Sequence, residues 1–450
     1  MKLTLLLFFS VCTVAAQNIS GNVLELGSNT PIEYVNVYWE KGRVGTITNI
    51  NGEYHLELGK NMTPTDTIRF SIIGYTTKHY TLSQLKKLDF TVHLSRKAEN
   101  LEAVTVNSQA ALKTSLPFSR LAHLKQAVYG FGSLLHNNHI YVVGGNASYL
   151  EDSEERVLNE ISSIPGATIV DFIEKSESNF TWEHYSDQLQ TYDITNDSWS
   201  TADIKFTKRA YHKLLHLDDK LYVLGGKTLS VNKKYEYLDN TIEVFNLTTK
   251  QRIVDDTNPH QAINFAAMTY KDNIIVMGGS TKMNKHGEKV YSNKAHMYNT
   301  TSGYWYELPN MTKPKEANGI LIKDKVFLIG GFNEEPLNKI ECYNLTNGTW
   351  TTEGNLFLGM ENPALAHHDN TIYIFSNGKM LTYNIENKVI NEYTIELYVK
   401  YAEMYYHQGY LYILGGFKED NYSITPSSRV SAVSLNDFKR TRSNKSKTLD

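Results

Sequence analysis

Along the last three-quarters of the chain, short apolar runs end in a pair of glycines. The copies are Ile140-Tyr-Val-Val-Gly-Gly145, Leu221-Tyr-Val-Leu-Gly-Gly226, Ile274-Ile-Val-Met-Gly-Gly279, Val326-Phe-Leu-Ile-Gly-Gly331 and Leu411-Tyr-Ile-Leu-Gly-Gly416. A degenerate sixth copy is Ile372-Tyr-Ile-Phe-Ser-Asn377. Four apolar residues bounded by glycine are too few for a helix and read as a buried strand. After each pair comes a second apolar run with an aromatic at Tyr192, Phe245, Tyr298, Tyr343 and Tyr383, and Val433 in the last copy. Seven residues on stand Trp199, Arg252, Trp305, Trp350, Ile390 and Arg440. From those positions to the next glycine pair the spacing is 25 or 26 residues throughout. Between glycine pair and aromatic it runs 48, 20, 20, 13, 7 and 18. All the variation in length therefore falls in one connection of the repeat.

A period near 50 residues with Gly-Gly, Tyr and Trp marks resembles the kelch repeat, about four strands per unit. Six copies imply a six-bladed β-propeller of the kelch, galactose-oxidase-like type over 117–438. Ring closure needs one chain end to complete a blade begun by the other. Leu116-Pro-Phe-Ser-Arg-Leu-Ala-His123 is the better outer strand, so the N-terminal segment is predicted to complete the sixth blade. That leaves 439–450 as a basic tail without structural duty.

Upstream, Ile19–Val23, Pro31–Tyr38, Val44–Thr48, Glu53–Leu58, Thr67–Ile73 and Phe90–Leu94 alternate or are β-branched and predict a small β-sandwich over 18–106. Asn51-Gly52 reads as a type I′ hairpin turn. The order Gly21-x-Val23, Pro31-Ile-x-x-Val35-x-Val37, Gly45-Thr46-x-Thr48-x-x-x-Gly52-x-Tyr54, Phe70-Ser71-x-x-Gly74-Tyr75 and Leu101-Glu-Ala-Val104 resembles the carboxypeptidase regulatory-like domain, a transthyretin-like sandwich. The resemblance implies an accessory module that packs, spaces or docks in exported proteins of Gram-negative bacteria. Residues 107–116 read as a linker. The fold class is thus all-β.

Residues 1–16 have the layout of a signal peptide: Lys2, an apolar run Leu3–Val14 and Ala15-Ala16 before Gln17. The run is too short to span a bilayer, and no transmembrane segment is expected elsewhere. The protein is then exported: periplasmic, extracellular or associated with the outer membrane through a partner. With Cys12 in the leader, Cys342 is the only thiol of the mature chain, so no intramolecular disulfide forms. A formal charge of −3 lacks the basic face that nucleic acid needs. Sequons at Asn18, Asn61, Asn179, Asn246 and Asn344 read as accidents of an Asn-rich chain.

The variable connections share one face with the segments entering each innermost strand, which makes that face the site hypothesis. The longest, insertion 147–187, is acidic (Glu151, Asp152, Glu154, Glu155, Glu160, Asp171, Glu174, Glu177, Glu183, Asp187) with a short amphipathic stretch through Leu150, Leu158, Ile161 and Ile164. It reads equally as a docking lid or a solvated excursion. Aligned positions entering the innermost strands are Gly130, Tyr211, Asn264, Glu316, Asn362 and Tyr401. Together with Arg209, Lys227 and Glu403, these residues (Gly130 apart) form the predicted ligand-binding mouth of the channel. Among the histidines, His212 and His216 share a strand face but read as packing, and no metal site, cofactor or catalytic motif is nominated. Cys342 sits in a packing slot, against copper-radical chemistry of the galactose-oxidase kind. Two readings follow. One is an exported, non-catalytic binding or scaffold protein whose propeller face takes a protein partner or glycan. The other is an enzyme resembling kelch-type sialic-acid mutarotases, with Glu316 or Glu403 as general acid or base and Arg209 as cation.

Overall fold

The computed structural model describes residues 17–39, 41, 44–58, 62–72, 74–96, 112–162, 164, 168–169, 181–182, 184–231, 235–255, 258–283 and 289–449. The predicted leader 1–16 and the first half of the predicted linker, 107–111, lie outside them, as do 97–106 with the Leu101-Glu-Ala-Val104 motif and part of the acidic insertion. The chain divides into two compact units, 1–109 and 110–450.

In the first unit β1 (Gln17–Glu25), β4 (Glu53–Leu58) and β7 (Thr91–Leu94) form one sheet. The second contains β2 (Asn36–Trp39), β3 (Val44–Ile47), β5 (Thr67–Ser71) and β6 (Lys78–Thr81). Alternation puts Tyr54, Leu56 and Leu58 of β4 against Val37, Trp39, Ile68 and Phe70 of the facing sheet, a single buried cluster. Asn51-Gly52 is not a hairpin within a sheet, because it carries the chain from β3 in one sheet to β4 in the other. Gly52 has φ +72° while Asn51 keeps negative φ. The turn is set instead by the Asn49 side chain, which accepts from the backbone N–H of Asn51 and Glu53. A helix α1 (Leu82–Lys87) also forms, opened by a capping box between Thr81 and Gln84.

In the second unit, six antiparallel sheets follow one plan: four strands ordered from the inside outwards. Blade two shows it, with Lys213–Leu217, Lys220–Leu224, Ile242–Asn246 and Arg252–Asp255. The innermost strands are Gly132–His136, Lys213–Leu217, Ala266–Tyr270, Gly319–Ile322, Ala364–His368 and Glu403–His407. Each contacts its two neighbours, and the sixth contacts the first, so the sheets close a ring. Between every pair of adjacent blades lies an apolar cluster drawn from both, such as Val143 and Leu189 with Phe206, Leu221 and Phe245. In blades one, three and four the Tyr and Trp marks are direct cross-strand partners, with ring centroids 5.1, 4.9 and 4.8 Å apart.

The glycine pairs are obligatory on two counts. Both residues of each pair have positive φ, and a Cβ at Gly331 would stand 2.3 Å from the Glu316 carbonyl oxygen. The degenerate copy solves the same corner differently. Asn377 (φ 39°) and Gly378 (φ 81°) make a two-residue turn with Ser376 paired to Lys379. This is a type I′ hairpin, like the turns at Asn137-Asn138 and Gln408-Gly409, and it explains why the variable connection is shortest there.

The ring closes from the N-terminal side. β8 (Ser119–Leu121) pairs with Val430–Ala432 as the outer strand of the sixth blade. The C-terminal residues are not a free tail. After Val430–Ser434 a short helix α3 (Leu435–Phe438) turns the chain, and Lys445–Thr448 adds a fifth strand to blade five against Val389–Glu392. Its anchor is Leu449, buried in the cluster between blades four and five, while Lys445 and Lys447 lie over the Phe357 ring. The linker end joins in: Lys113 pairs with Thr441 and Leu116 with Ile395. Within this unit, segments 113–116 and 441–449 lie along the outer side of blade five, while β8 occupies the edge of blade six that the tail would otherwise extend.

Candidate functional site

Four aligned residues entering the innermost strands share one unusual backbone state: Gly130, Tyr211, Asn264 and Tyr401 have φ between 51° and 61°. Holding a tyrosine there costs about 1 kcal/mol or more, and such strain collects at functional positions. The conformation aims successive backbone groups from blade to blade. Tyr211 N donates to Gly130 O, Asn264 N to Tyr211 O at 3.4 Å, and Ala317 N to Asn264 O at 2.9 Å.

Side chains continue this belt. Asn264 Nδ2 donates to Glu316 Oε2 at 3.1 Å. Tyr401 donates to Glu361 Oε1 at 2.6 Å. Its ring packs on Phe417, Phe417 on Tyr129 and Tyr129 on Tyr211, with centroids 5.4, 4.9 and 6.2 Å apart. Lys227 lies over the Tyr211 ring and bonds Glu236 at 2.7 Å. Burial, and then the nearby Glu361 and Glu316 charges, push the Tyr401 hydroxyl far above the ordinary phenol range. Tyr211, Asn264, Glu316, Tyr401 and Lys227 are therefore brought together at the mouth. Asn362 is half-buried beside Glu361.

Arg209 is not part of this mouth. It is fully buried, with Nη2 2.8 Å from Glu243 and 3.4 Å from Asp239, and Nη1 3.3 Å from the Gly225 carbonyl. Lys315 is its counterpart in blade four, 2.7 Å from Glu341 and 2.9 Å from Gly330 O. A buried cation that ties a carboxylate to the first glycine's carbonyl is a structural bolt, and no ligand reaches it. Glu316 is also committed, accepting from Ser280 at 2.6 Å and Lys289 at 3.1 Å.

Below the belt, the six innermost strands enclose a cavity of about 560 Å³. Glu403 lines it, with Lys213, Asn318, Ser133, Tyr405 and His216. Lys213 Nζ sits 4.0 Å from Glu403 and 3.4 Å from Asn318 Oδ1, and Tyr405 shares a 2.7 Å hydrogen bond with Ser133. Burial raises the Glu403 carboxyl above its ordinary value, with Lys213 working the other way. Lys213, Asn318 and Tyr405 escaped the sequence reading, although each stands two or four residues beyond an aligned mouth position. His212 spans two blades, its Nε2 accepting from Gly132 N at 3.1 Å, and His216 stacks on His136 at 3.7 Å. Among the described residues no group of three or more potential ligands could hold a metal.

The acidic insertion is docked on its neighbours. Tyr149–Glu151 pairs with Thr181–Trp182 and with Ser423–Pro426 of the blade-six loop. Its helix α2 (Ser153–Ser162) buries Val157 and Ile161 and leaves Leu158 exposed, so the buried stripe is offset from Leu150, Leu158 and Ile164. Tyr185 at its end donates to Glu236 of the blade-two loop at 2.7 Å. The loops of blades six, one and two are thus stitched into one surface. On it Leu158, Ile164, Ile169, Tyr235 and Tyr237 are exposed.

Two of the sequons prove to be turn chemistry. Asn246 Oδ1 accepts from the backbone of Thr248 and Thr249, and Asn344 Oδ1 from Thr346 and Asn347. Asp193, Asn299 and Asn384 do the same in other blades, so a repeated Asx turn writes the Asn-x-Thr pattern.

Fold and repeat define a two-domain all-β protein, a β-sandwich followed by a β-propeller. A carboxypeptidase regulatory-like domain model matches residues 19–106, and a kelch-repeats domain model described for KLHDC2, KLHL20 and DRC7 matches 176–378. The chain therefore carries a carboxypeptidase regulatory-like domain followed by kelch repeats. Among curated relatives, kelch repeat and BTB domain-containing protein 2 of cowpox virus (strain Brighton Red) is 28% identical over 33% of this chain and 26% of its own length. Beta-scruin of Limulus polyphemus is 26% identical over 31% and 15%, and human kelch-like protein 15 is 25% identical over 34% and 26%. The chain spans about a quarter or less of these relatives. The solved structure of YjhT aligns with TM-score 0.51 at 11% identity, over 70% of this chain and 99% of that one, a likeness of fold alone.

Proposed function

We propose that the protein is a non-catalytic binding or scaffold protein whose loop-bearing propeller face receives a protein partner. The observation that carries this reading is the stitched surface of blades six, one and two, which exposes Leu158, Ile164, Ile169, Tyr235 and Tyr237. Tyrosines and aliphatics held on a rigid scaffold are the residues that anchor protein contacts. The mouth itself supports binding better than chemistry, because Lys227, Lys289 and Glu316 are each engaged by a neighbour. Kelch domains bind protein partners, in keeping with this assignment.

A second reading, a carbohydrate-modifying enzyme such as a sialic-acid mutarotase, is favoured by one feature. Glu403 is a part-buried carboxyl with a raised proton affinity, facing the Lys213 cation inside the cavity. Lys213 would take the part given to Arg209, whose guanidinium is sequestered. One experiment separates the readings. Residues 17–450 and the Tyr235→Ser/Tyr237→Ser variant are screened against peptide and glycan arrays, beside a sialic-acid mutarotation assay by NMR. Peptide binding lost in the variant with an unchanged mutarotation rate supports the first reading. Accelerated mutarotation abolished by Glu403→Gln contradicts it in favour of the second.

A further inference from the structure

Four blades share a part-buried polar contact at equivalent positions. The residue eighteen before the first glycine of a pair meets the third-strand residue two before the aromatic mark. In blade one Gln126 N donates to Gln190 Oε1 at 2.9 Å. In blade two Thr207 N donates to Glu243 at 3.1 Å, and in blade four the Thr312 hydroxyl donates to Glu341. Blade three alone places two histidines there, His260 and His296, with their Nδ1 atoms 2.9 Å apart.

The neighbours fix both tautomers. His260 Nε2 lies 2.9 Å from the Gly278 carbonyl oxygen, which can only accept, so Nε2 carries the hydrogen. Neutral His260 then offers an Nδ1 lone pair, and His296 Nδ1–H donates to it. We propose that this imidazole pair is an acid-released latch, the one contact of the four that opens in mild acid. A first proton on His296 Nε2 preserves the N–H···N bond. A second, on His260 Nδ1, sets two donors and two positive charges at contact distance, and the bond is lost.

The surroundings favour the neutral pair. His260 is 4% exposed. Burial, then the His296 charge, lower its imidazole to about 4, the Gly278 carbonyl opposing. Burial lowers His296 too, with Glu307 on the outer strand opposing and Lys294 ahead of the third strand assisting. Phe265 and Trp305, which pack on the pair, are uncharged. The sign follows: a histidine whose folded proton affinity is depressed contributes its full stability above the unfolded value near 6.5. That contribution falls as pH drops from there towards about 4. The other contacts do not weaken in that way. Glutamines gain no proton. Glu243 is held by Arg209; burial works to raise Glu341, but the charge and hydrogen bond of Lys315 keep it net below its usual value. His260 stands four residues before Asn264, so release would free the mouth belt at blade three.

Hydrogen exchange of the whole chain at about pH 7.5 and about pH 5, corrected for intrinsic rates, tests the latch. Protection of amides 260–264 should fall about thirty-fold more than that of 207–211 and 312–316. In the His260→Gln/His296→Gln variant, which copies the glutamine pair of blade one, the excess should vanish. Equal losses in all three blades, or an excess that survives in the variant, would overturn the proposal. Should the variant not fold, ¹⁵N NMR of wild-type imidazoles decides: a His260 that titrates near its ordinary value contradicts the latch.

Discussion

At the scale of single residues, buried polar groups in the propeller act as joints between backbone segments. Arg209 shows how residue type misleads when the sequence alone is read: an arginine next to a channel position suggests a ligand's carboxylate. Its partners Glu243 and Asp239 lie 34 and 30 residues away, beyond any local pattern. Only the repeat could have disclosed the role, since Lys315 and Glu341 stand at nearly matching places in blade four. Glu243→Ala leaves Arg209 buried without its closest counter-charge and exposes Arg252 to the same loss. Removing one partner of a buried pair costs about 3–5 kcal/mol. Urea denaturation should show that loss, and Arg209→Met/Glu243→Leu should recover most of it. A single-variant loss under about 1 kcal/mol would contradict the bolt.

At the scale of elements, what was legible depended on how local the cause is. The glycine pairs, the strands ending in them and the Tyr and Trp marks obey short-range sterics and cross-strand packing, and they stand where the spacing puts them. The Asn-Gly signal was attached to the wrong copy. Asn51-Gly52 crosses between sheets, whereas Asn377-Gly378 makes the tight turn, because local sequence does not say which strands share a sheet. The capping box Thr81-Leu-Ser-Gln84 that opens α1 was legible in principle, although the strand pattern read above assigns no helix there. The C-terminal strand was not, since Lys-Ser-Lys-Thr has no apolar alternation and its place follows from the open edge of blade five. A stop after Asn444 removes that strand and Leu449. Burying one leucine contributes about 1.5–3 kcal/mol, so the melting midpoint should drop by several degrees. An unchanged thermal transition would show that the strand carries no load.

At the scale of the whole molecule, ring closure and the proposed binding surface meet on the same arc of the ring. β8 seals blade six from outside, and the insertion of blade one pairs with the loop of blade six on the variable face. The mouth residues were legible as a set because they recur at fixed distance from the glycine pairs. The layer beneath, Lys213, Asn318 and Glu403, was half seen, because inward projection is a property of the closed ring. Which partner the proposed face would receive leaves no trace in the repeat, which records packing.

The central claim, that the variable face is the binding face, is tested most directly by site-specific photo-crosslinking in the source cells. A crosslinking side chain at Tyr237 on the blade-two loop is compared with one at Asn347, exposed on the turn at the opposite face. The account predicts a discrete crosslinked partner from Tyr237, absent from Asn347 and lost when the insertion 147–187 is deleted. Crosslinks of equal yield from Asn347, or a partner captured from there alone, would contradict it.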